Sequence, residues 1–274
     1  MGFLSNFSQT LLSMAKIALQ SCWRARLPHQ QGEIVVLGNG PSLSDTIKNN
    51  SEFLAARPLL AVNFAACAKE FFLLRPRYYL LADPHFFTAL DRLNVQQMWS
   101  VLTDQVDWPL TLFVPWQHRR VVRTMAKIGK LDVRYYNMTP VEGFNWFENA
   151  AFSAGLGMPR PRNVLIPSIM VALKMGFKTV YLAGADHSWT RTLSVDDNNR
   201  VVSIQPHFYK EDEQEAQRAL TTHMGRPLHV MMWNFYVAFR SYWSIERYAR
   251  HIGAQVLNIT PGSFIDAFQR LKLN

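Results

Sequence analysis

Short apolar runs alternate with helix-length segments along most of the chain, the pattern that a parallel sheet with crossover helices requires. The runs predict strands over 33–37, 59–62, 78–82, 110–114, 133–136, 179–183 and 255–259. The segments between and after them predict helices over 43–56, 65–74, 86–103, 117–128, 167–175, 211–222 and 231–252. Two stretches break this rhythm. Residues 139–163 hold Gly143, Gly155, Gly157, Pro159 and Pro161 and read as a long connection over the sheet edge. Residues 185–210 are polar and aromatic without a period, as lids and binding loops are. The expected fold class is α/β, a parallel sheet flanked by helices over 32–274, with a lid at about 185–210.

Ahead of that domain, residues 1–31 form a separate amphipathic segment. On a helical wheel Leu4, Phe7, Leu11, Met14, Ala15 and Ala18 make one stripe. Lys16, Arg24 and Arg26 add positive charge, and no acidic residue precedes Glu33. Asn6, Gln9, Ser13, Lys16 and Gln20 make the segment too polar to be a secretion signal or to span a bilayer. Two readings stay open. One is a basic helix lying on the anionic inner face of a membrane, with the protein cytoplasmic and peripheral; the other is a helix packed on the core or on a partner chain.

Composition narrows the picture. A chain of 274 residues with 49% hydrophobic and 18% charged side chains is globular and buries a substantial core. Its net charge of +9 favours an anionic partner: a nucleotide, a nucleic acid or acidic lipid headgroups. No RRM, KH or helix-turn-helix pattern supports the nucleic acid. Cys22 and Cys67, the only cysteines, exclude a disulfide framework and a Cys-x-x-Cys metal pair.

Candidate chemistry gathers after the strands. Ile34 to Leu37 run into Gly38-Asn39-Gly40-Pro41-Ser42-Leu43, a strand, a glycine turn and a helix start where free N–H groups would attract phosphate. A third glycine and an acidic end to the second strand are missing, so this is not a dinucleotide fingerprint; nor is it a P-loop. Asn63 follows the second strand, Asp83 and His85 the third, and Asp186, His187 and Ser188 the sixth. In an open α/β sheet those strand ends edge the ligand crevice. Taken singly, each is also an ordinary turn or cap residue.

These residues carry a resemblance. The Gly38 to Leu43 turn, Asn63, Asp83-Pro84-His85-Phe86-Phe87, Pro167 to Asp186, Pro206-His207-Phe208-Tyr209 and Leu257 to Ser263 follow one another as in the family 42 bacterial sialyltransferases. The resemblance implies a Rossmann-like, single-domain GT-A-like glycosyltransferase. Its reaction would be metal-independent, inverting transfer from a CMP-activated 3-deoxy-ulosonic sugar to a cell-surface glycan or glycolipid, with no cofactor beyond that donor. By position, Gly38, Asn39, Gly40, Pro41 and Ser42 would hold the CMP portion. Asn63 and Asp83 would hold nucleotide or sugar, and Ser168 would lie near the donor. His207 would be the catalytic base, with Asp186 and Ser188 beside it. A sialic-acid carboxylate calls for an arginine, and Arg160 and Arg162 stand close to the needed place. Asp83 occupies a position that is usually an amide in that family, and Ser188 one that is usually tyrosine, so a Kdo-like ulosonate is as compatible as sialic acid.

Other readings remain. The same Gly-x-Gly-Pro-Ser-Leu turn opens proteins resembling archaeal pterin pyrophosphokinase and flagellin-associated motility accessory proteins, and a non-catalytic nucleotide-binding subunit is a third possibility. Asp196-Asp197-Asn198-Asn199 lacks the alternation of a calcium loop and reads as a polar turn. Trp233, Phe235, Tyr236, Phe239, Tyr242 and Trp243 read as core or an interaction face, and Arg119, Arg120 and Arg123 as a solvated face.

Overall fold

Strand β1 (Glu33–Leu37) stands at the centre of the fold because both its faces are covered and all its residues but the first are buried. A computed structural model describes residues 2–125, 131–202 and 226–273 of the chain. On one side of β1 lie β2 (Leu59–Val62), β3 (Tyr78–Leu80), β4 (Thr111–Pro115) and β5 (Asp132–Tyr136) in that order. On the other side β6 (Thr179–Ala183) pairs directly with β1, from Glu33 beside Thr179 to Leu37 beside Ala183. A short hairpin, β7 (Ser194–Val195) with β8 (Val201–Val202), follows outside the main sheet. The sheet then ends with β9 (Gln255–Asn258) and β10 (Gln269–Arg270). Every pairing in the eight-stranded sheet is parallel, and the Rossmann-like α/β class is the one the alternating pattern predicts. The strand order reverses between β1 and β6, which opens a crevice above their carboxyl ends.

The helices are more broken than the pattern predicts. After α1 (Phe3–Gln20), the 43–56 segment splits at Asn50, where φ is −129°, into α2 (Ser42–Asn49) and α3 (Ser51–Ala55). The 65–74 segment begins as a 3-10 turn over Asn63–Cys67 and becomes α4 (Lys69–Leu74) only after the extended Ala68. The 86–103 segment resolves into α5 (His85–Thr88), α6 (Leu93–Ser100) and a π turn, and the next into α7 (Arg119–Met125). The supposed connection 139–163 contains a helix of its own, α8 (Asn145–Ser153), set between Gly143 and Gly155, both at positive φ. The flanking glycines and prolines hid it. The apolar α9 (Leu165–Met175) is buried, and α10 (Leu228–His251) closes the same face of the sheet. The region 211–222 lies outside the described residues.

Helix α1 docks with its polarity reversed. Thr10, Ser13 and Ile17, spaced along one face, are buried. Ser13 Oγ donates to the Glu142 carbonyl at 2.8 Å and accepts from the Glu142 amide at 2.9 Å, while Thr10 Oγ1 accepts from the Phe144 amide at 3.1 Å. Beyond the helix, Asn137 exchanges hydrogen bonds with the Cys22 amide and carbonyl. The apolar stripe of Leu4, Phe7, Leu11 and Met14 points away from the core, each at least 50% exposed. No described helix is long and apolar enough to cross a membrane.

Candidate functional site

A cleft of about 850 Å³ occupies the crevice at the reversal point. Its floor comes from the turns after four strands: Asn39 to Pro41 after β1, Asn63 after β2, Ala82 to Pro84 after β3, and Gly184 with Asp186 to Ser188 after β6. Its far wall is Pro161 to Leu165, and Trp189, Arg191, Thr192 and Arg226 rim it. The sheet thus brings together Asn39, Gly40, Pro41, Asn63, Asp83, Arg162, Asp186 and Ser188. The base candidate His207 lies outside the described residues. Ser168 is fully buried one turn behind the wall, its hydroxyl donating to the Val164 carbonyl at 2.8 Å, and it does not line the cleft.

The two central turns lock against each other. The Gly38 amide donates to Ala183 O at 2.7 Å, and the Gly40 amide to Gly184 O at 2.9 Å. A Cβ on Gly38 would sit 2.5 Å from Gly184 O, and Gly184, at φ +64°, would meet Gly38 O at 2.5 Å in return. A Cβ on Gly40 would fall 1.9 Å from Asp186 Oδ2. That carboxylate also accepts from Ser42 Oγ at 2.7 Å, so Asp186 and Ser42 tie the start of α2 to the end of β6. The glycines serve this close approach. The amides of Gly38 and Gly40 are already spent inside the protein, so the polar surface offered to a ligand comes mainly from side chains.

Those side chains are held at some cost. Asn63 sits at φ +51°, a conformation asparagine tolerates better than most residues, with its carbonyl bonded to the Tyr79 hydroxyl. Its Oδ1 is buried without a partner. Across the cleft, Asn163 Oδ1 accepts from the Leu165 amide at 2.9 Å, the Ile166 amide at 3.4 Å and the Tyr242 hydroxyl at 2.9 Å. Two backbone donors settle which amide atom is oxygen, and Asn163 Nδ2 is left buried and unpaired. Asp83 is exposed and caps the next turn, its Oδ1 accepting from the His85 amide at 2.9 Å.

His187 is the residue whose role the sequence conceals. It stands at φ +50°, Nε2 lies 2.6 Å from the Tyr242 hydroxyl, and its ring packs on Trp189 at 4.1 Å and beside Phe239. Because Tyr242 gives its proton to Asn163, Nε2 must donate to Tyr242, and Nδ1 is left as an acceptor. Burial depresses the imidazole pKa to about 3, so the ring is neutral at any ordinary pH. Tyr242, read from the sequence as core or interaction face, is buried as expected but is also the middle of this relay. Its partners are far apart in sequence, and no local pattern marks them.

Charge divides the arginines. Arg160 and Arg240 both bind Glu142, so neither is free for a ligand. Arg162, Arg191 and Arg226 face the cleft instead, three cations against the carboxylates of Asp83 and Asp186. Desolvation lowers the Arg162 pKa, Arg160 and Arg226 lower it further and Glu142 offsets them in part, so an anion in the cleft would meet a guanidinium set among other cations. Nearby, Asp196 accepts from the Asn198 amide, the Arg200 amide and Arg200 Nε inside its own turn. It is committed to the β7–β8 hairpin.

No family model and no curated protein matches the chain. Among solved structures it is similar to the MAf glycosyltransferase from Magnetospirillum magneticum AMB-1, with a TM-score of 0.51 and 14% sequence identity. That match covers 99% of this chain and 39% of that one, so the chain spans about two fifths of its neighbour's length. The likeness is one of fold.

Proposed function

We propose that this chain is a glycosyltransferase that moves a 3-deoxy-ulosonic sugar, sialic acid or a Kdo-like relative, from a CMP-activated donor to a cell-surface glycan acceptor. The transfer inverts the anomeric centre and uses no metal. What supports the reading is one cleft that combines unpaired amide groups on Asn63 and Asn163 with three arginines, Arg162, Arg191 and Arg226, that line it. Its volume falls within the range of about 300–1,000 Å³ usual for small-molecule sites. A CMP-ulosonate offers both kinds of complement: polar base and sugar edges for the amides, and a phosphate with a carboxylate for Arg162, Arg191 and Arg226.

In this reading the acceptor hydroxyl attacks the anomeric carbon while the bond to the CMP phosphate oxygen breaks. The arginines neutralise the departing phosphate, and His207 takes the hydroxyl proton. His187 is too weak a base for that step and instead orients a donor through Nδ1. Asp186 and Ser42 hold the turn on which Asn39 stands.

A second reading follows from the structural neighbour: a MAf-like glycosyltransferase with a different acceptor. Calorimetric titration with CMP, UDP, GDP, ATP and NAD, with and without magnesium, tests the donor. CMP binding indifferent to magnesium supports the proposal, and selective ATP–magnesium binding overturns it in favour of a pyrophosphokinase-like enzyme. CMP binding without turnover on any CMP-sugar would leave a nucleotide-binding subunit. His207→Ala is expected to lower turnover by about 10²- to 10⁴-fold with CMP affinity unchanged.

A further inference from the structure

Helix α1 turns its apolar side to solvent, and the structure shows why that side is not simply waiting to fold onto the core. The face that meets the core is already occupied: Thr10 and Ser13 bond the backbone of residues 142–144, and Ile17 joins the central apolar cluster. The helix is therefore rigidly mounted, with Leu4 80%, Leu11 51%, Leu12 54% and Leu19 85% exposed. Its N-terminal end extends the surface onto a second element. Phe3 packs on Phe144 at 5.4 Å, immediately before α8, where Trp146 is 69% exposed. Solvent-facing leucines along one helix, with an exposed tryptophan two residues beyond the Phe144 that touches it, mark an interaction site rather than scattered surface residues.

Charge identifies the partner. Lys16, Arg24 and Arg26 lie on this segment and residues 2–32 hold no carboxylate. The acids packed against it are consumed: Glu142 by Arg160 and Arg240, Glu148 by Arg247. A second copy of this chain meeting the patch about a two-fold axis would bring cations against cations. An anionic bilayer complements both features, since leucines and tryptophan enter the interface while basic side chains reach the headgroups. We propose that the outer face of α1, together with Trp146, is a preformed platform that seats the protein on an anionic lipid surface. This inference stands apart from the glycosyl-transfer reading, and neither depends on the other.

Flotation of the full chain with phosphatidylglycerol-containing vesicles and with pure phosphatidylcholine vesicles tests it. Binding to the anionic vesicles, at least tenfold weaker on phosphatidylcholine, is expected. Leu4→Glu/Leu11→Glu should abolish it, and Lys16→Ser/Arg24→Ser/Arg26→Ser should remove the anionic preference, at about fivefold per cation. Trp146→Ser alone should weaken it severalfold, which a helix acting by itself would not show. Leu4, Leu11, Arg24, Arg26 and Trp146 are exposed and Lys16 is half-buried, so an unchanged thermal transition confirms that each variant folds. Absence of wild-type binding at low salt overturns the proposal. So does binding that ignores Leu4→Glu/Leu11→Glu, or a dimer in sedimentation that the same pair dissolves while vesicles are ignored.

Discussion

The cleft and helix α1 invert one another. Around the cleft the strands bury their apolar side chains and deliver amides, carboxylates and guanidinium groups to one open edge. Helix α1 turns the hydroxyls of Thr10 and Ser13 inward and its leucines outward. The difference teaches that polarity alone does not decide which face of an element is buried. A serine or threonine goes inside when a backbone amide and carbonyl wait for it there, as those of Glu142 wait for Ser13.

Perturbing each side of that contrast separates what packing holds from what hydrogen bonds hold. The largest effect is expected from Gly184→Ala, which forces a Cβ at φ +64° to within 2.5 Å of Gly38 O. Overpacking and left-handed strain together should cost about 3 kcal/mol, read as a drop in the denaturant midpoint. On α1, Ser13→Ala strands the amide and carbonyl of Glu142 and should cost about 2 kcal/mol. Ser8→Ala in the same helix, exposed and bonded only to Ser5 O, should stay within about 0.5 kcal/mol. Equal losses for the two serines would show that α1 is not docked through its polar face.

A separate effect concerns pH. His187 is neutral in the fold, with its pKa depressed to about 3 from an ordinary 6.5, so between those values the unfolded chain binds more protons than the folded one. Stability should therefore be fully present above about pH 6.5 and be lost as pH falls toward 3. The slope is at most about 1.4 kcal/mol per pH unit. His187→Asn, which suits the left-handed backbone, should remove that share of the acid sensitivity; identical slopes in variant and wild type would mean that the ring is not desolvated as described.

Much of the architecture was legible because it depends on local pattern. The runs 33–37, 59–62 and 179–183 match β1, β2 and β6 residue for residue. Helix α8 escaped because the glycines and prolines around it outweigh a short Asn145 to Ser153 segment of weak periodicity. At the site, the strand-end rule placed Asn39, Asn63, Asp83 and Asp186 on one edge. It did not show that Asp186 binds Ser42, that Arg160 is diverted to Glu142, or that His187 reaches Asn163 through Tyr242. Each of those is a meeting of distant residues, visible only once the chain is folded.

The back-to-back glycines carry a consequence for how the cleft comes into being. The turn after β1 takes its shape by leaning on the turn after β6, and most of the chain separates the two. A nascent chain that has made residues 38–42 has not yet made half a site. Loop closure over that span is slow compared with helix formation, so the cleft should be assembled late and in one step, as β6 docks. A fragment ending before Thr179 would keep the residues of the first turn and lose their arrangement.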